Sequence, residues 1–111
     1  MQYLVLKGYY SGEILNAIGY TIGEILASEV NDDYQGNCKY LIKFHDSRYA
    51  LAEWSWGSCE YCDEWSTLSP LDLKIEAQKC VSFFDNAEVL RQYIDNCKNT
   101  HPDTWLKDVN V

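Results

Sequence analysis

Lys39-Tyr40-Leu41-Ile42-Lys43-Phe44, His45-Asp46-Ser47-Arg48, Tyr49-Ala50-Leu51-Ala52-Glu53-Trp54-Ser55-Trp56: the reading of this stretch decides the fold. Tyr40, Ile42 and Phe44 alternate with Lys43 and His45, which is the period of a half-buried strand. His45 to Arg48 is a turn by composition. The chain returns with Ala50, Ala52, Trp54 and Trp56 on one face, so the two indole rings lie on the same side. The stretch predicts a β-hairpin over about 39–56.

Outward from the hairpin the signals are helical. On the C-terminal side, Ser69-Pro70 is a helix start with proline at its first position, and Leu71, Leu73 and Ile75 fit either helix or strand, with helix preferred. Residues 79–84 read as a short strand. Asp85-Asn86-Ala87-Glu88 is a capping signal with Asp85 as the cap. It opens an amphipathic helix over about 86–97 with Val89, Leu90, Tyr93, Ile94 and Cys97 on one side. Trp105 and Leu106 are expected to fold back onto the body. On the N-terminal side, residues 11–30 read as helix. Ser11 caps the first turn, Gly19 ends or kinks it, and Thr21-Ile22-Gly23-Glu24 has capping-box form. Ile22, Ile25, Leu26 and Val30 then recur at helical spacing. Asn31 to Asn37 is a loop. The expected fold is therefore α+β, a small antiparallel sheet packed by an N-terminal helical segment and a later helix. With 111 residues and no linker, repeat or low-complexity stretch, the chain fits a single domain over 1–111.

Charge narrows the function classes. Seventeen acidic residues against nine basic ones give a formal net charge of −8. Such a field repels phosphate backbones and disfavours nucleic-acid binding, while it suits solubility or docking on a basic protein. Nine tyrosines and four tryptophans are too many to be core alone, so some rings are expected at the surface. No segment approaches the length of a membrane helix, and the N-terminus lacks the pattern of a signal peptide, so a cytoplasmic setting is expected. Five cysteines, an odd number, argue against a closed disulfide framework. Cys80 and Cys97 are expected as small buried hydrophobes.

The candidate sites are two. Trp54 to Trp65 encloses Cys59-Glu60-Tyr61-Cys62, and two thiols at this spacing can both reach one metal ion. A structural zinc needs two further ligands, and Cys38, His45, Cys80, Cys97 and His101 form no second pair, so Cys59 and Cys62 are half of a zinc motif. Redox chemistry is disfavoured because Glu60, Asp63 and Glu64 oppose thiolate formation. A structural loop, with both thiols on a tight turn after Trp56, is the preferred reading, and no cofactor is expected. The second site is Asp32-Asp33-Tyr34-Gln35-Gly36. Its carboxylates lack the spacing of a calcium loop, so a solvated acidic loop is the preferred reading, and Tyr34 and Gln35 are the alternative, suited to ligand contacts. Phosphate-binding loops, nucleophile elbows and paired metal-binding histidines are all missing from the sequence, so an enzyme is not expected.

Two segments together, Asn31 to Gly36 and Gly57-Ser58-Cys59 with Cys62-Asp63, resemble a set of small, poorly characterised proteins of bacteriophages and other mobile elements. That set carries an Asp-Tyr-Gln-Gly stretch and, downstream, Gly-Ser-Cys, two residues and Cys-Asp. Between the cysteines Ser-Gly is commoner there, where this chain has Glu60-Tyr61. The resemblance covers mainly residues 21–65 and implies viral origin rather than a chemistry. The expected function is a small acidic inhibitor, in an anti-defence (anti-CRISPR-like) role, that blocks the basic, nucleic-acid-binding surface of a host protein. Asp32, Asp33, Glu60, Asp63 and Glu64 would supply the charge, and Tyr34, Gln35, Trp54, Trp56, Tyr61 and Trp65 the contacts. The alternative is a nucleotide binder or sponge with a pocket of Trp54, Trp56, Trp65 and Tyr34, and a zinc-stabilised module is third. A homodimer is a further partner reading.

Overall fold

The computed structural model describes residues 4–19, 23–58 and 63–111. Helix α1 (Ser11–Ile18) is followed by strands β1 (Gly23–Asn31), β2 (Gly36–Phe44) and β3 (Tyr49–Trp56). A short 3₁₀ turn (Glu64–Thr67), helix α2 (Pro70–Lys79), strand β4 (Val81–Phe84) and helix α3 (Ala87–Thr100) complete the order. The four strands form one antiparallel sheet in the order β1-β2-β3-β4. The fold is α+β, as the sequence predicts.

The sheet carries a core on each face because β2 and β3 are apolar at both parities, which fits strands covered on two sides. Cys38, Tyr40, Ile42 and Phe44 of β2 and Ala50, Ala52, Trp54 and Trp56 of β3 point to one face. There they pack with Ile14 and Ile18 of α1 and Ala77 of α2. Leu41, Tyr49, Leu51 and Phe84 point to the other face, under Leu90 and Ile94 of α3 and Leu106 of the C-terminal segment. That segment is clasped to α3: Arg91 donates two hydrogen bonds to the Val111 carbonyl, at 3.0 and 2.8 Å. Leu106 is buried as expected, and Trp105 packs beside it.

Four expectations are corrected. Residues 23–31 are strand, not helix. β1 pairs with β2 along its whole length, and Glu24 and Glu29 lie opposite Lys43 and Lys39. The register shifts between Ile25 and Ala27, so Leu26 is an extra residue. A bulge of this kind breaks strand alternation and mimics helical spacing. The cap of α1 is Tyr10 rather than Ser11. Tyr10 has φ 67°, and its carbonyl accepts from Ile14 N at 3.1 Å. The cap of α3 is Asn86 rather than Asp85, because the Asn86 side chain reaches Val89 N at 3.0 Å. Ser69, by contrast, caps α2 as read, accepting from Asp72 N. Cys80 and Cys97 are half-buried rather than fully enclosed.

Candidate functional site

The far end of the sheet, where β1 turns into β2 and β3 ends, gathers residues that are distant in sequence. The register brings Asn31 opposite Asn37, Asn37 opposite Ser55 and Gly36 opposite Trp56. The turn between β1 and β2 therefore lies against the last residues of β3. The bend at Gly8-Tyr9 closes in from the N-terminal side. Gly8 has φ 104°, and a Cβ there would sit 2.6 Å from Cys38 Sγ and 2.8 Å from Trp56 Cη2. Only glycine fits so close an approach in that backbone region.

Two buried tryptophans fix these loops. The Trp54 indole N–H donates to the Tyr9 carbonyl at 2.7 Å, and the Trp56 indole N–H donates to the Asp33 carbonyl at 2.7 Å. Each bond satisfies a buried donor and a loop acceptor together. The Tyr9 ring meets Trp56 edge-on at 5.5 Å, and Tyr10 stacks on Trp65 at 4.9 Å. Asp63 holds the next segment. One carboxylate oxygen accepts from Trp65 N at 3.0 Å and the other from the Tyr10 hydroxyl. Burial, then the Asp63 carboxylate and Glu13, push the Tyr10 phenol well above its ordinary range. Below the bend, burial and then Asp32 push the Cys38 thiol up to about 11. The field of the acidic turn thus reaches the core.

Three adjoining clefts open around this end. The first, about 480 Å³, is lined by Asn31, Gln35, Asn37, Ser55, Glu64 and Trp65 among others. The second, about 490 Å³, lies between Gly8-Tyr9 and Asp32, Asp33 and Tyr34. A smaller one of about 290 Å³ shares Tyr9 and Tyr34 with the second and Trp56 with the first, and adds Asp63. Among the described residues, the ion pairs join Arg48 to Asp46, Lys79 to Glu76 and Arg91 to Glu88, all away from these clefts.

Of the sequence-predicted site residues, Asp32, Asp33, Tyr34, Gln35, Trp56, Asp63, Glu64 and Trp65 line these clefts. Trp54 does not; it is 5% exposed, and its polar atom is spent on Tyr9. Cys59, Glu60, Tyr61 and Cys62 lie outside the described residues, and with them the tight-turn and zinc readings. Among the described residues, no three His, Cys, Asp or Glu side chains gather where they could hold a metal ion. No described helix is long and apolar enough to cross a membrane. Sequence reasoning missed Tyr9, Asn31, Asn37 and Ser55. Gly8-Tyr9-Tyr10 carried a usable signal, a glycine before two aromatics ahead of a helix. No protein-family model, curated protein or solved structure matches the chain.

Proposed function

We propose that this chain is a small acidic binding protein that inhibits a partner by covering its basic, nucleic-acid-binding surface. The observation that carries the reading is the convergence of Asp32, Asp33, Asp63 and Glu64 with Tyr9 and Tyr34 around adjoining clefts at one end of the molecule. Carboxylates steer a basic partner to that end, and exposed tyrosines supply contact area with few rotatable bonds. The protein acts by occupancy, without catalysis. The partner is a host protein in the bacterial cytoplasm, as the resemblance to phage proteins implies.

The test is retention of a bacterial partner at about 0.1 M salt and its release at about 1 M, where the Debye length falls from about 10 to about 3 Å. Competition between this protein and DNA or RNA for the captured partner completes the experiment. A partner that binds nucleic acid equally well in its presence overturns the inhibitory reading.

A second reading rests on the first cleft. Three carboxamides, a hydroxyl and the Trp65 ring suit a flat, uncharged ligand such as the base of a nucleoside. A phosphate would meet Glu64 there. Tryptophan emission titrated with nucleosides and nucleotides tests this, and unchanged emission across both sets removes it.

A further inference from the structure

The second cleft has a more specific chemistry than general acidity. Tyr34 is 79% exposed at the tip of the β1–β2 turn, and Tyr9 is 51% exposed on the facing bend. Between them lies a cavity of about 490 Å³ that Asp32 and Asp33 also line. Both walls are pinned from beneath by Trp54 and Trp56, two residues apart on one face of β3. A single strand thus sets the spacing of the two walls, so the cleft is organised before anything enters it.

We propose that this cleft receives an arginine side chain of the partner. A guanidinium is planar and weakly hydrated, stacks on aromatic faces and presents a fork of donors to a carboxylate. A lysine ammonium holds its water more strongly and offers no plane to stack. Asp32 also lines a neighbouring cleft of about 520 Å³, whose lining includes the cation Lys7. Asp33 is therefore the carboxylate assigned to the guanidinium, and Asp63 adds its charge from the adjoining pocket that Tyr9 and Tyr34 also line. This inference rests on the docking reading above and names the side chain by which docking is achieved.

The experiment titrates the whole protein with two peptides, hexa-arginine and hexa-lysine, at equal ionic strength, following tryptophan emission and the Trp56 indole N–H resonance. The wild type is expected to prefer hexa-arginine by about fivefold or more, the factor that matches one cation–π contact of about 1 kcal/mol. Tyr34→Ala is expected to erase that preference, Tyr34→Phe to keep it, and Asp33→Asn to weaken both peptides. Tyr34 is too exposed for its truncation to unfold the chain, and circular dichroism checks this. Equal binding of the two peptides by the wild type, or an unchanged preference in Tyr34→Ala, overturns the arginine cleft. If in that case Asp33→Asn still weakens both peptides, the acidic docking surface stands without the cleft. If neither peptide binds at low salt, both readings fall.

Discussion

Gly36→Ala tests whether the acidic end is as tightly built as its contacts imply. A Cβ at Gly36 would lie 2.1 Å from the Asn31 carbonyl oxygen and 2.7 Å from Trp56 Cζ2. Carbon contacts are comfortable near 3.5 Å, so backbone, not a flexible side chain, must move by roughly 1 Å. Overpacking of this kind costs about 1–3 kcal/mol. If Trp56 yields instead, its indole N–H leaves the Asp33 carbonyl and a buried donor goes unpaired, which costs about 1–3 kcal/mol more. The restricted unfolded state of alanine returns about 0.4–1 kcal/mol. With both terms the net loss expected is about 1–5.5 kcal/mol, about 3 at the midpoint, a large share of the roughly 5–15 kcal/mol that holds a domain together. Unfolding entropy for 111 residues is about 0.23 kcal/mol/K, so a loss of about 3 kcal/mol lowers Tm by about 13 °C. Urea unfolding followed by tryptophan emission and by circular dichroism measures it. Gly12→Ala is the control. The added methyl meets nothing within 4 Å inside α1, so it is expected to stabilise by about 0.5–1 kcal/mol. Wild-type stability in Gly36→Ala would refute the reasoning.

Further predictions concern the caps, the tail and pH. Asn86→Ala is expected to cost ~1 kcal/mol by loss of the Val89 N–H acceptor, while Asp85→Ala leaves the melting curve unchanged; equal effects would return the cap to Asp85. Leu106→Ala is expected to cost about 2–5 kcal/mol, since Leu106 is 1% exposed in the core beneath α3, and a loss under 1 kcal/mol in urea would show that the tail is not part of that core. Burial, then Asp32, raises the Cys38 thiol from 9.0 to about 11, so the neutral thiol favours the folded state. That contribution is fully present below pH 9 and is lost as pH rises through about 11. Urea midpoints measured across this window are expected to fall less steeply in Cys38→Ala than in wild type, and parallel slopes would count against the raised thiol.

The parts of the fold legible in sequence are those whose signals are local. The Ser69-Pro70 start, the amphipathic face of α3 and the hairpin alternation each sit within one element. β1 was hidden because its evidence lies on another strand. Ile25, Leu26 and Val30 imitate helical spacing only because the bulge at Leu26 interrupts the alternation. Both faces of this edge strand are largely exposed, which removes the period-two pattern. Its best signature is cross-strand, with Glu24 opposite Lys43 and Glu29 opposite Lys39, and that requires a register no single segment contains. The site divides the same way. Composition pointed to the Asp32–Gln35 turn and to Trp56 and Trp65. It could not show that Trp54 would turn inward to hold Tyr9, or that Tyr9 would face Tyr34 across a cleft.

The two indole bonds also constrain the order of assembly. The partners in the hairpin of β2 and β3 are near neighbours along the chain, whereas Trp54 grasps a carbonyl 45 residues upstream. Loop closure over that distance has its entropic cost before any contact offsets it, so the nearby strands join first. Residues 4–10 leave the ribosome ahead of what they bind. β2 supplies Tyr40, whose hydroxyl accepts from Lys7 N at 2.9 Å, and Cys38, whose thiol donates to the Lys7 carbonyl at 3.3 Å. β3 then adds the indole that holds the Tyr9 carbonyl. The Tyr9 end of that segment is thus secured after its Lys7 end. A nascent chain stalled before Trp54 would leave the Tyr9 bend more open to protease than one released beyond Trp56.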